Sequence, residues 1–398
     1  MNPKSDFLTY QAQTTTHPLA MEIAHAEGAY IYDKNGKSYL DFVAGVSACS
    51  LGHKPKVVVD AIKKQVDSYM HVMVYGEYIQ DTPLALSKLL AENIPNPLNM
   101  VYLTNSGTEA TEGALKLAKR ITGRMEVISA KNAYHGNTQG AMSVCGAEAQ
   151  NSAFRPLIPG VGFVRFNDFN DLKKITQKTA GVILETIQGG AGFIVPEKDY
   201  LKAVRKRCDE VGAMLILDEI QSGIGRTGVL FEFMNHNIVP DIVITGKGLG
   251  GGMPIGAFIA SKRHMDLLRE NPKLGHITTF GGHPVIAAAA LATLQEILKA
   301  DFMQAVLAKE VLLRERLKHP AIQEIRGKGL MLALFVATPE LATKIILRCQ
   351  EKGLILFWLL FEGRAIRITP PLNITDADLL KGIEILLEAI NYCTAIPS

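Results

Sequence analysis

Short runs of apolar and β-branched residues recur through the middle of the chain and restrict its fold more than any other feature. They alternate with amphipathic stretches such as Ala110–Arg120 and Asp199–Val211. Apolar strands that alternate with helices indicate a mostly parallel sheet covered on both faces. The runs are Met100–Thr104, Glu126–Ser129, Gly162–Phe166, Gly181–Glu185, Met214–Asp218, Asp241–Thr245 and Gly256–Ala260. We therefore predict an α/β fold whose large domain contains a seven-stranded, mostly parallel sheet.

The two ends of the chain show different patterns. Residues 28–42 alternate apolar and polar positions around Asn35-Gly36, which predicts a β-hairpin. Val285–Leu317 predicts one or two long helices. Beyond it, the predicted strands are Leu330–Val336 and Ala365–Ile368, and the predicted helices are Leu341–Lys352 and Asp376–Ile390. We predict that residues 51–290 form the large domain, and that residues 291–398 form a smaller α+β domain to which residues 1–50 contribute.

Composition excludes several classes of protein. The 398 residues include 42 basic and 39 acidic side chains, and a net charge of +3 is too small to indicate binding to nucleic acid or to an anionic membrane. The longest apolar run, Val285–Leu294, is shorter than the roughly 18 residues of a bilayer-spanning helix, and the polar N-terminus does not resemble a signal peptide. The five cysteines form no CxxC pair, which favours free thiols in a reducing cytoplasm.

Ligands of open parallel sheets bind beyond the carboxyl ends of the strands, so the residues at those ends are candidates for function. Ser106 and Glu109 follow the first central strand with the spacing of a capping box. Gly107 allows close approach to the backbone, so the N–H groups that open the next helix are able to hold a phosphate. A plain helix cap explains the same residues.

The acidic pair Asp218-Glu219 ends another strand, as in nucleotide hydrolases that bind magnesium. That function requires a G-x-x-x-x-G-K-[ST] loop. The only GKS sequence, Gly36-Lys37-Ser38, has Ile31 where the first glycine is needed, and it lies in the predicted hairpin. The nucleotide-hydrolase hypothesis is therefore excluded.

Lys247 lies among glycines directly after the strand Asp241–Thr245. The segment Gly246–Gly252 matches GxGxxG, but a dinucleotide-binding motif opens a helix, whereas Met253-Pro254 and another strand follow here. Apolar, glycine-packed surroundings would lower the pKa of the amine and make it a nucleophile, although an ordinary surface lysine fits the sequence too.

Glu185 ends a fourth strand. Gly189, Gly190 and Gly192 follow it and indicate that the backbone passes close to a ligand. A phosphate-binding turn, a buried carboxylate and a desolvated lysine are together what pyridoxal phosphate requires. The lysine forms the Schiff base, and the carboxylate keeps the pyridine nitrogen protonated.

With these motifs the sequence resembles the class III pyridoxal-phosphate-dependent aminotransferases, the family of ornithine, acetylornithine and 4-aminobutyrate aminotransferases. The resemblance extends from Gly28–Phe42 to Arg367–Thr375, and it is most specific in Leu217–Gly228 followed by Thr245–Gly248. It implies the fold type I of pyridoxal-phosphate-dependent transferases and a homodimer with shared active sites.

The resemblance also implies a role for each matching residue. Lys247 and Asp218 are the expected catalytic residues: Lys247 is the Schiff-base lysine and proton shuttle, and Asp218 is the partner of the pyridine nitrogen. The cofactor-binding set adds Gly107 and Thr108 for the phosphate, Tyr134 on the ring, Gln221 at the ring hydroxyl, Glu185, and Thr279 at the phosphate of the neighbouring subunit. Arg367 is expected to bind the substrate α-carboxylate. We expect no metal site, and for His135 a packing role.

The implied reaction moves an amino group from an ω-amino donor, such as acetylornithine or ornithine, to 2-oxoglutarate and gives glutamate. A 4-aminobutyrate or other ω-amino acid aminotransferase is the alternative, and a non-catalytic regulatory protein that binds the cofactor is disfavoured by the intact Lys247 and Asp218. Asn137, Gly190 and Val46 stand where the acetylornithine and ornithine enzymes have arginine, glutamate and, in ornithine aminotransferase, tyrosine. These differences leave the donor open and favour a bulkier or more apolar one.

Overall fold

The computed structural model describes residues 3–74 and 76–395. Within these ranges, no helix combines the length and the apolar character needed to cross a membrane. The strands are β1 (Ile23–Glu27), β2 (Tyr30–Asp33), β3 (Ser38–Asp41), β4 (Met100–Thr104), β5 (Glu126–Ala130), β6 (Val161–Val164), β7 (Thr179–Glu185), β8 (Met214–Asp218), β9 (Ile242–Gly246), β10 (Gly256–Ala260), β11 (Glu324–Lys328), β12 (Met331–Phe335), β13 (Leu354–Ile355), β14 (Phe357–Trp358) and β15 (Ala365–Ile368).

The α-helices of the described residues surround and connect these strands. They are α1 (Pro3–Tyr10), α2 (Ala44–Ser47), α3 (Lys56–Ser68), α4 (Asp81–Glu92), α5 (Gly107–Thr122), α6 (Gln139–Ser143), α7 (Glu148–Asn151), α8 (Tyr200–Val211), α9 (Lys262–Met265), α10 (Pro284–Ile297), α11 (Phe302–Arg316), α12 (Pro339–Glu351) and α13 (Asp376–Ala395). Short 3₁₀ turns, including Lys247–Gly250, occur between them.

The central sheet confirms the predicted fold class. Its seven strands run in the order β4-β10-β9-β8-β7-β5-β6, and β10 alone is antiparallel to its neighbours. The predicted strand bounds agree with the structure to within two residues. In the register of β7 and β8, Glu185 lies opposite Asp218, so two of the predicted strand-end acids are neighbours at one edge of the sheet.

Continuous apolar runs form these strands because both faces of the sheet are covered. Every residue of β7, β9 and β10 is buried. Alternate positions contribute to two different cores: Ile183 and Ile216 pack with helix α5, whereas Val182 and Leu215 join the larger core that contains α10. A sheet sandwiched in this way can place its functional groups only where the strands end.

Helix α5 begins directly after β4 and has the predicted cap. The Ser106 Oγ accepts a hydrogen bond from the Glu109 N–H at 3.3 Å, and the Glu109 carboxylate accepts one from the Asn105 N–H at 2.8 Å. The helix ends at Gly123, whose φ of +69° is the left-handed conformation that glycine tolerates. The cap therefore fixes where the first turn of α5 starts.

The N-terminal hairpin and the C-terminal part of the chain share a small sheet. β2 and β3 pair around Asn35-Gly36 as predicted, and β3 pairs in parallel with β13, so that Leu40 lies opposite Leu354. A second small sheet has the order β11-β12-β15-β14. The domain boundaries at residues 50 and 290 stay a prediction, since pairing alone does not define them.

Helices α10 and α11 show that the predicted helical stretch 285–317 is two helices.

The sequence patterns missed the strands β1, β11, β13 and β14. Two of these, β13 and β14, are only two residues long. Strands this short contain too few positions for an alternating pattern to be recognised.

The packing of α5 on the sheet predicts a stability defect. Gly113 of α5 lies against Phe258 of β10, and a Cβ added at Gly113 would overlap the buried phenyl ring. We expect Gly113→Ala to destabilise the fold by about 1–3 kcal/mol through overpacking, even though alanine favours helices. The melting temperature should fall by a few degrees in a thermal scan.

The second substitution Phe258→Leu should restore part of the loss, because the smaller side chain makes room for the methyl group. Lys116→Ala is the matched control, since Lys116 is exposed on the same helix and should change stability little. Equal melting temperatures for Gly113→Ala and the control would contradict this account of the packing.

Candidate active site

A cavity of about 430 Å³ opens at the carboxyl ends of the central strands. The described residues that line it include eight predicted site residues: Gly107, Thr108, Tyr134, Glu185, Asp218, Gln221, Lys247 and Arg367. They come from six separate segments of the sequence. Of the predicted site residues, only Thr279 does not line this cavity. The topology thus brings the strand-end residues together, as expected for an open parallel sheet.

The first turn of α5 forms one wall of the cavity. The N–H groups of Gly107 and Thr108 lie before the first intrahelical hydrogen bond, so they are free to bind an anion. A Cβ at Gly107 would lie 2.7 Å from the Ile220 Cδ1, so a larger residue would require the Ile220 side chain to move. The Thr108 Oγ1 lies 2.9 Å from the Thr138 Oγ1, and Thr138 donates a hydrogen bond to Glu112 at 2.6 Å.

The Glu112 carboxylate sets the direction of these hydroxyl hydrogen bonds. An ionised carboxylate only accepts, so the proton of Thr138 points at Glu112 and its oxygen accepts the proton of Thr108. This arrangement leaves the backbone N–H groups of Gly107 and Thr108 as the donors that face the cavity.

Asp218 is buried at the end of β8 and has two hydrogen-bond donors. The His135 Nδ1–H donates to its Oδ2 at 2.7 Å, and the Ile220 N–H donates to its Oδ1 at 2.9 Å. The expected packing role of His135 is therefore wrong, because its ring orients the carboxylate. The two residues are 83 positions apart, and no sequence pattern connects them.

Glu185 lies beside Asp218 and is fully engaged by backbone groups. Its carboxylate accepts hydrogen bonds from the Tyr134 N–H at 3.2 Å and the Gly189 N–H at 2.9 Å. Burial and the neighbouring Asp218 raise the pKa of Glu185, the positive charge of His135 and the two backbone hydrogen bonds lower it, and the net result is a pKa of about 7. Glu185 thus holds two loops at the edge of the cavity.

Lys247 stands at the end of β9, in the 3₁₀ turn Lys247–Gly250. Its φ of +38° is rare for a residue with a side chain. Burial and, to a lesser extent, the positive charge of Arg367 lower the pKa of the amine, Asp218 and Glu185 raise it, and the net result is a pKa of about 8. With this pKa about a tenth of the amines are neutral at pH 7, far more than at the usual pKa of 10.5, and the neutral form is the one that acts as a nucleophile or proton acceptor.

Arg367 of β15 is 4% exposed and lines the same cavity. Its Nε and Nη1 have no hydrogen-bond partner within the described part of the protein. Burial lowers the pKa of the guanidinium to about 10, and the Phe193 ring lies 5.6 Å from its Cζ. A buried guanidinium with two unpartnered nitrogens is a binding site for a carboxylate.

Two further segments complete the cavity wall. The Gln221 Nε2 donates to the Ser47 Oγ at 3.4 Å. Ser47 and Val46 belong to the single turn α2 and have left-handed φ values of +69° and +59°, conformations that a β-branched residue such as valine rarely adopts. Strained backbone of this kind is concentrated at functional sites. Tyr134 presents its ring to the cavity and is partly exposed.

Thr279 lies in the segment that borders a different cavity, of about 370 Å³. Its neighbours Thr278, Gly281 and Gly282 line that cavity together with Tyr78 and Ile79. The Asn105 Nδ2 fixes Thr278 by donating to its Oγ1 at 3.0 Å. The structure of one chain therefore separates Thr279 from the other predicted site residues.

The residues of the main cavity fit pyridoxal phosphate. The N-terminus of α5 offers N–H groups to a phosphate, Asp218 offers a buried carboxylate to a pyridinium nitrogen, and Lys247 offers an amine of lowered pKa. The hydrogen bond from His135 already orients the Asp218 carboxylate. The described residues contain no cluster of three or more side chains suited to hold a metal ion.

The family model "Aminotransferase class-III" matches residues 10–390 of the sequence. The protein therefore belongs to the class III aminotransferases.

Its individual relatives are aminotransferases of related amino compounds. It is 38% identical to the acetylornithine aminotransferase of Caldanaerobacter subterraneus, over 93% of this chain and 94% of that enzyme. It is 36% identical to the [LysW]-aminoadipate semialdehyde/glutamate semialdehyde transaminase of Sulfurisphaera tokodaii, with 90% and 92% of the two chains covered.

Solved structures agree with the family. The ornithine aminotransferase of Toxoplasma gondii superposes with a TM-score of 0.91 at 29% identity, covering 98% of this chain and 94% of that one. Another structure of that enzyme has pyridoxal phosphate at its active site. A thermostable omega transaminase from Pseudomonas jessenii has a TM-score of 0.92 at 26% identity, with 99% of each chain covered. The protein is an enzyme that catalyses transamination with pyridoxal phosphate.

The lowered pKa of Lys247 predicts how the stability of the cofactor-free protein depends on pH. In the unfolded chain the amine keeps its proton up to the usual pKa of 10.5, whereas the buried amine loses it near pH 8. Burial of Lys247 therefore destabilises the fold fully below pH 8, and this effect disappears as the pH rises from 8 to 10.5. We expect cofactor-free Lys247→Met to melt above the wild type at pH 7 and the difference to shrink above pH 8.

Differential scanning fluorimetry across this pH range measures the difference. Lys116→Met, at an exposed position, is the control and should show no such trend. A constant difference between Lys247→Met and wild type at every pH would show that the amine is not desolvated.

Proposed function

We propose that this enzyme transfers an amino group from an ω-amino donor of the acetylornithine type to 2-oxoglutarate and forms glutamate. The proposal rests on one observation: the buried guanidinium of Arg367 has two nitrogens without a hydrogen-bond partner and lines the same cavity as Lys247. A keto acid bound there by its α-carboxylate would present its carbonyl near the amine. The names of the relatives support the donor class.

The roles of the other residues follow from their contacts. Gly107 and Thr108 would hold the phosphate through backbone N–H groups, and Tyr134 would provide an aromatic surface for the ring. Gln221 would contact the ring hydroxyl. When bound, pyridoxal phosphate supplies an electron sink for the electron pair left when a proton leaves the amine-bearing carbon.

Asp218 would face the pyridinium nitrogen with a carboxylate that His135 and the Ile220 N–H hold in place. Lys247 accepts a proton as the neutral amine and returns it as the ammonium. Its pKa of about 8 lies close to physiological pH, so both forms are accessible. Glu185 positions Tyr134 and Gly189 through their backbone N–H groups.

A specific observation keeps 4-aminobutyrate as a second candidate donor. Asn137 lines the cavity as a neutral side chain, and Gly190 lines it with no side chain at all. No carboxylate among the described residues forms an ion pair with Arg367, so the arginine is open to any donor that carries a carboxylate. We propose that acetylornithine-like donors and 4-aminobutyrate compete for this cavity.

A single-turnover experiment tests the proposed reaction. The pyridoxal form is mixed with glutamate, N-acetylornithine, ornithine or 4-aminobutyrate, and conversion to the pyridoxamine form is followed by absorbance. We expect glutamate and at least one ω-amino donor to react. Borohydride reduction should fix the cofactor on Lys247, as located by mass spectrometry, whereas Lys247→Ala should trap none. Reaction with α-amino acids such as aspartate alone would contradict the ω-amino assignment.

We infer that the active unit is a homodimer in which each chain completes the site of its partner. The cavity beside Thr279 is bordered by the exposed apolar residues Tyr78, Ile79 and Leu84, and Phe280 of the same loop is 52% exposed. A contiguous apolar surface of this kind is typical of a subunit interface. Thr279 would then reach the phosphate of the partner.

Heterodimers with separate tags on the two chains test the shared site. When one chain carries Lys247→Ala and the other Thr279→Asp, one site has both defects and the other has none. We expect about half of the activity of the wild-type dimer. In the matched control, both substitutions are on one chain and the other chain is wild type, so each site has one defect and activity should be lost. Activity in the control with none in the first heterodimer would show that each chain forms its own site.

We propose the cytoplasm as the location of the enzyme. All five cysteines are free thiols, and three of them, Cys145, Cys208 and Cys349, are buried in the core. Free thiols at these positions are typical of a reducing compartment.

A further inference from the structure

The guanidinium of Arg367 lines the active-site cavity with little to hold it in place. Its Nε and Nη1 have no hydrogen-bond partner within residues 3–74 and 76–395, and the Phe193 ring lies 5.6 Å from its Cζ. The position of this guanidinium therefore depends on the backbone of β15, the strand to which Arg367 belongs. Contacts that fix the end of β15 also fix the place where a carboxylate can bind.

The chain just beyond β15 is held by Arg226, a side chain that is 1% exposed and does not line the cavity. Its Nη1 donates to the Pro370 carbonyl at 2.6 Å and to the Leu330 carbonyl at 3.1 Å. In return, the Leu330 N–H donates to the Arg226 carbonyl at 3.0 Å. Arg226 is thus joined by hydrogen bonds to the residue before β12 and to a residue shortly after β15.

The two carbonyls that Arg226 binds belong to neighbouring strands, at the same end of one small sheet. β12 and β15 pair in antiparallel register, with Leu332 opposite Ile368. Two positions beyond this pair, the same register brings Leu330 next to Pro370. One guanidinium nitrogen therefore holds both strands of the pair.

Arg226 also follows closely on residues expected at the cofactor ring. Asp218 ends β8, Gln221 lines the cavity, and Arg226 comes five residues after Gln221. The Arg226 N–H donates to the Gly223 carbonyl at 3.3 Å, which keeps this segment compact. Arg226 therefore connects the segment of Asp218 and Gln221 with the strand of Arg367.

The acceptors of the Arg226 Nη1 are neutral carbonyl groups. Its Nη2 has no hydrogen-bond partner within the described part of the chain. Burial lowers the pKa of the guanidinium to about 9, so it keeps its charge at neutral pH. Hydrogen bonds from an ionised donor are stronger than neutral ones, and a buried cation loses much if it gives them up. The two carbonyls are therefore held firmly.

Thr369 provides a second anchor for this end of β15. Its N–H donates to the Phe42 carbonyl at 2.7 Å, and its Oγ1 donates to the Val43 carbonyl at 3.1 Å. These bonds do not involve Arg226. We therefore expect β15 to shift, and not to detach, when Arg226 is replaced.

We propose that Arg226 is a positioning residue, whose guanidinium fixes the end of β15 and so sets the place of Arg367 relative to the cofactor. Arg226 acts through Arg367 and touches neither substrate nor cofactor. This inference rests on the proposed function, since it requires Arg367 to bind the substrate carboxylate. Loss of Arg226 should weaken carboxylate binding and spare the reactivity of the cofactor carbon.

Two carbonyl reagents separate carboxylate binding from reaction at the cofactor. Aminooxyacetate and methoxyamine both form an oxime with the cofactor carbon, while the bond from that carbon to the Lys247 nitrogen breaks and two aminooxy protons pass to the lysine amine. Only aminooxyacetate has a carboxylate, so we expect the wild type to prefer it. Arg226→Met should reduce this preference about tenfold or more, because small misplacements of a binding group are costly. The rate with methoxyamine should change little.

Two control variants calibrate this comparison. Arg367→Met removes the carboxylate-binding group itself and should lose the preference. Arg314→Met is the matched structural control, because Arg314 also donates to two carbonyls, those of Ile325 and Gly327 at 2.7 and 2.8 Å, in a strand that does not pair with β15. It should lower the melting temperature and keep the preference. A wild-type preference in Arg226→Met would overturn the proposal.

The double variant with Arg226→Met and Arg367→Met tests whether one residue acts through the other. If it does, the double variant loses no more of the preference for aminooxyacetate than Arg367→Met alone. Losses that multiply would show that Arg226 acts independently of Arg367, contrary to the proposal.

Binding of glutarate gives a readout that does not depend on turnover. Glutarate has two carboxylates and neither an amino nor a keto group, so it binds without reacting. In calorimetry with the pyridoxal form, we expect Arg226→Met to weaken glutarate binding about tenfold. Arg226→Lys should weaken it less, because the ammonium keeps the charge but lacks the fork that reaches both carbonyls. If Arg226→Met does not fold, wild-type glutarate binding in Arg226→Lys would contradict the positioning role.

Arg367→Met separates this inference from the proposed function. If this variant keeps the preference for aminooxyacetate, the carboxylate site of the proposed function is wrong, and so is the role of Arg226. If Arg367→Met loses the preference and Arg226→Met keeps it, the proposed function stands and only the positioning role is overturned.

Discussion

The structure depends on burying ionisable side chains where the strands of one sheet end. Glu185 and Asp218 lie opposite each other on neighbouring strands, and the charge of Asp218 raises the pKa of Glu185. Two basic side chains, Lys247 and Arg367, line the same cavity as these two acids. Charges removed from water interact strongly, so Arg367 lowers the pKa of Lys247, whereas Asp218 and Glu185 raise it. Hydrogen bonds from His135 to Asp218, and from the N–H groups of Tyr134 and Gly189 to Glu185, fix the positions of the two carboxylates.

Much of this arrangement could be predicted from the sequence. The continuous apolar runs identified all seven central strands, because a sheet covered on both faces needs apolar residues at every position. Asp218, Glu185 and Lys247 were found because parallel strands bring their carboxyl ends to one edge, whatever their distance in the sequence. Ser106 and Glu109 predicted the start of α5, since a capping box is a local signal.

The remaining features depend on contacts between distant segments. His135 is 83 residues from Asp218, and its orientation follows from the packing of two loops rather than from its neighbours in sequence. β14 is two residues long, and its partner β15 determines that Phe357 faces the same side as Arg367. The absence of a side chain at Gly190 was visible in the sequence, but the ring of Phe361 that fills the space was not.

The pairing of β3 with β13 affects the order in which parts of the protein fold during synthesis on the ribosome. Leu40 lies opposite Leu354, and the Thr369 N–H donates to the Phe42 carbonyl at 2.7 Å, so β3 gains these partners only after residues 354–369 have been synthesised. The large sheet is complete in the nascent chain long before residue 354 has been synthesised. Domains that fold during synthesis do so as units, starting from the N-terminal side. The hairpin of β2 and β3 therefore completes its contacts later than the central sheet, and the cavity takes shape only once β15, which carries Arg367, has been added.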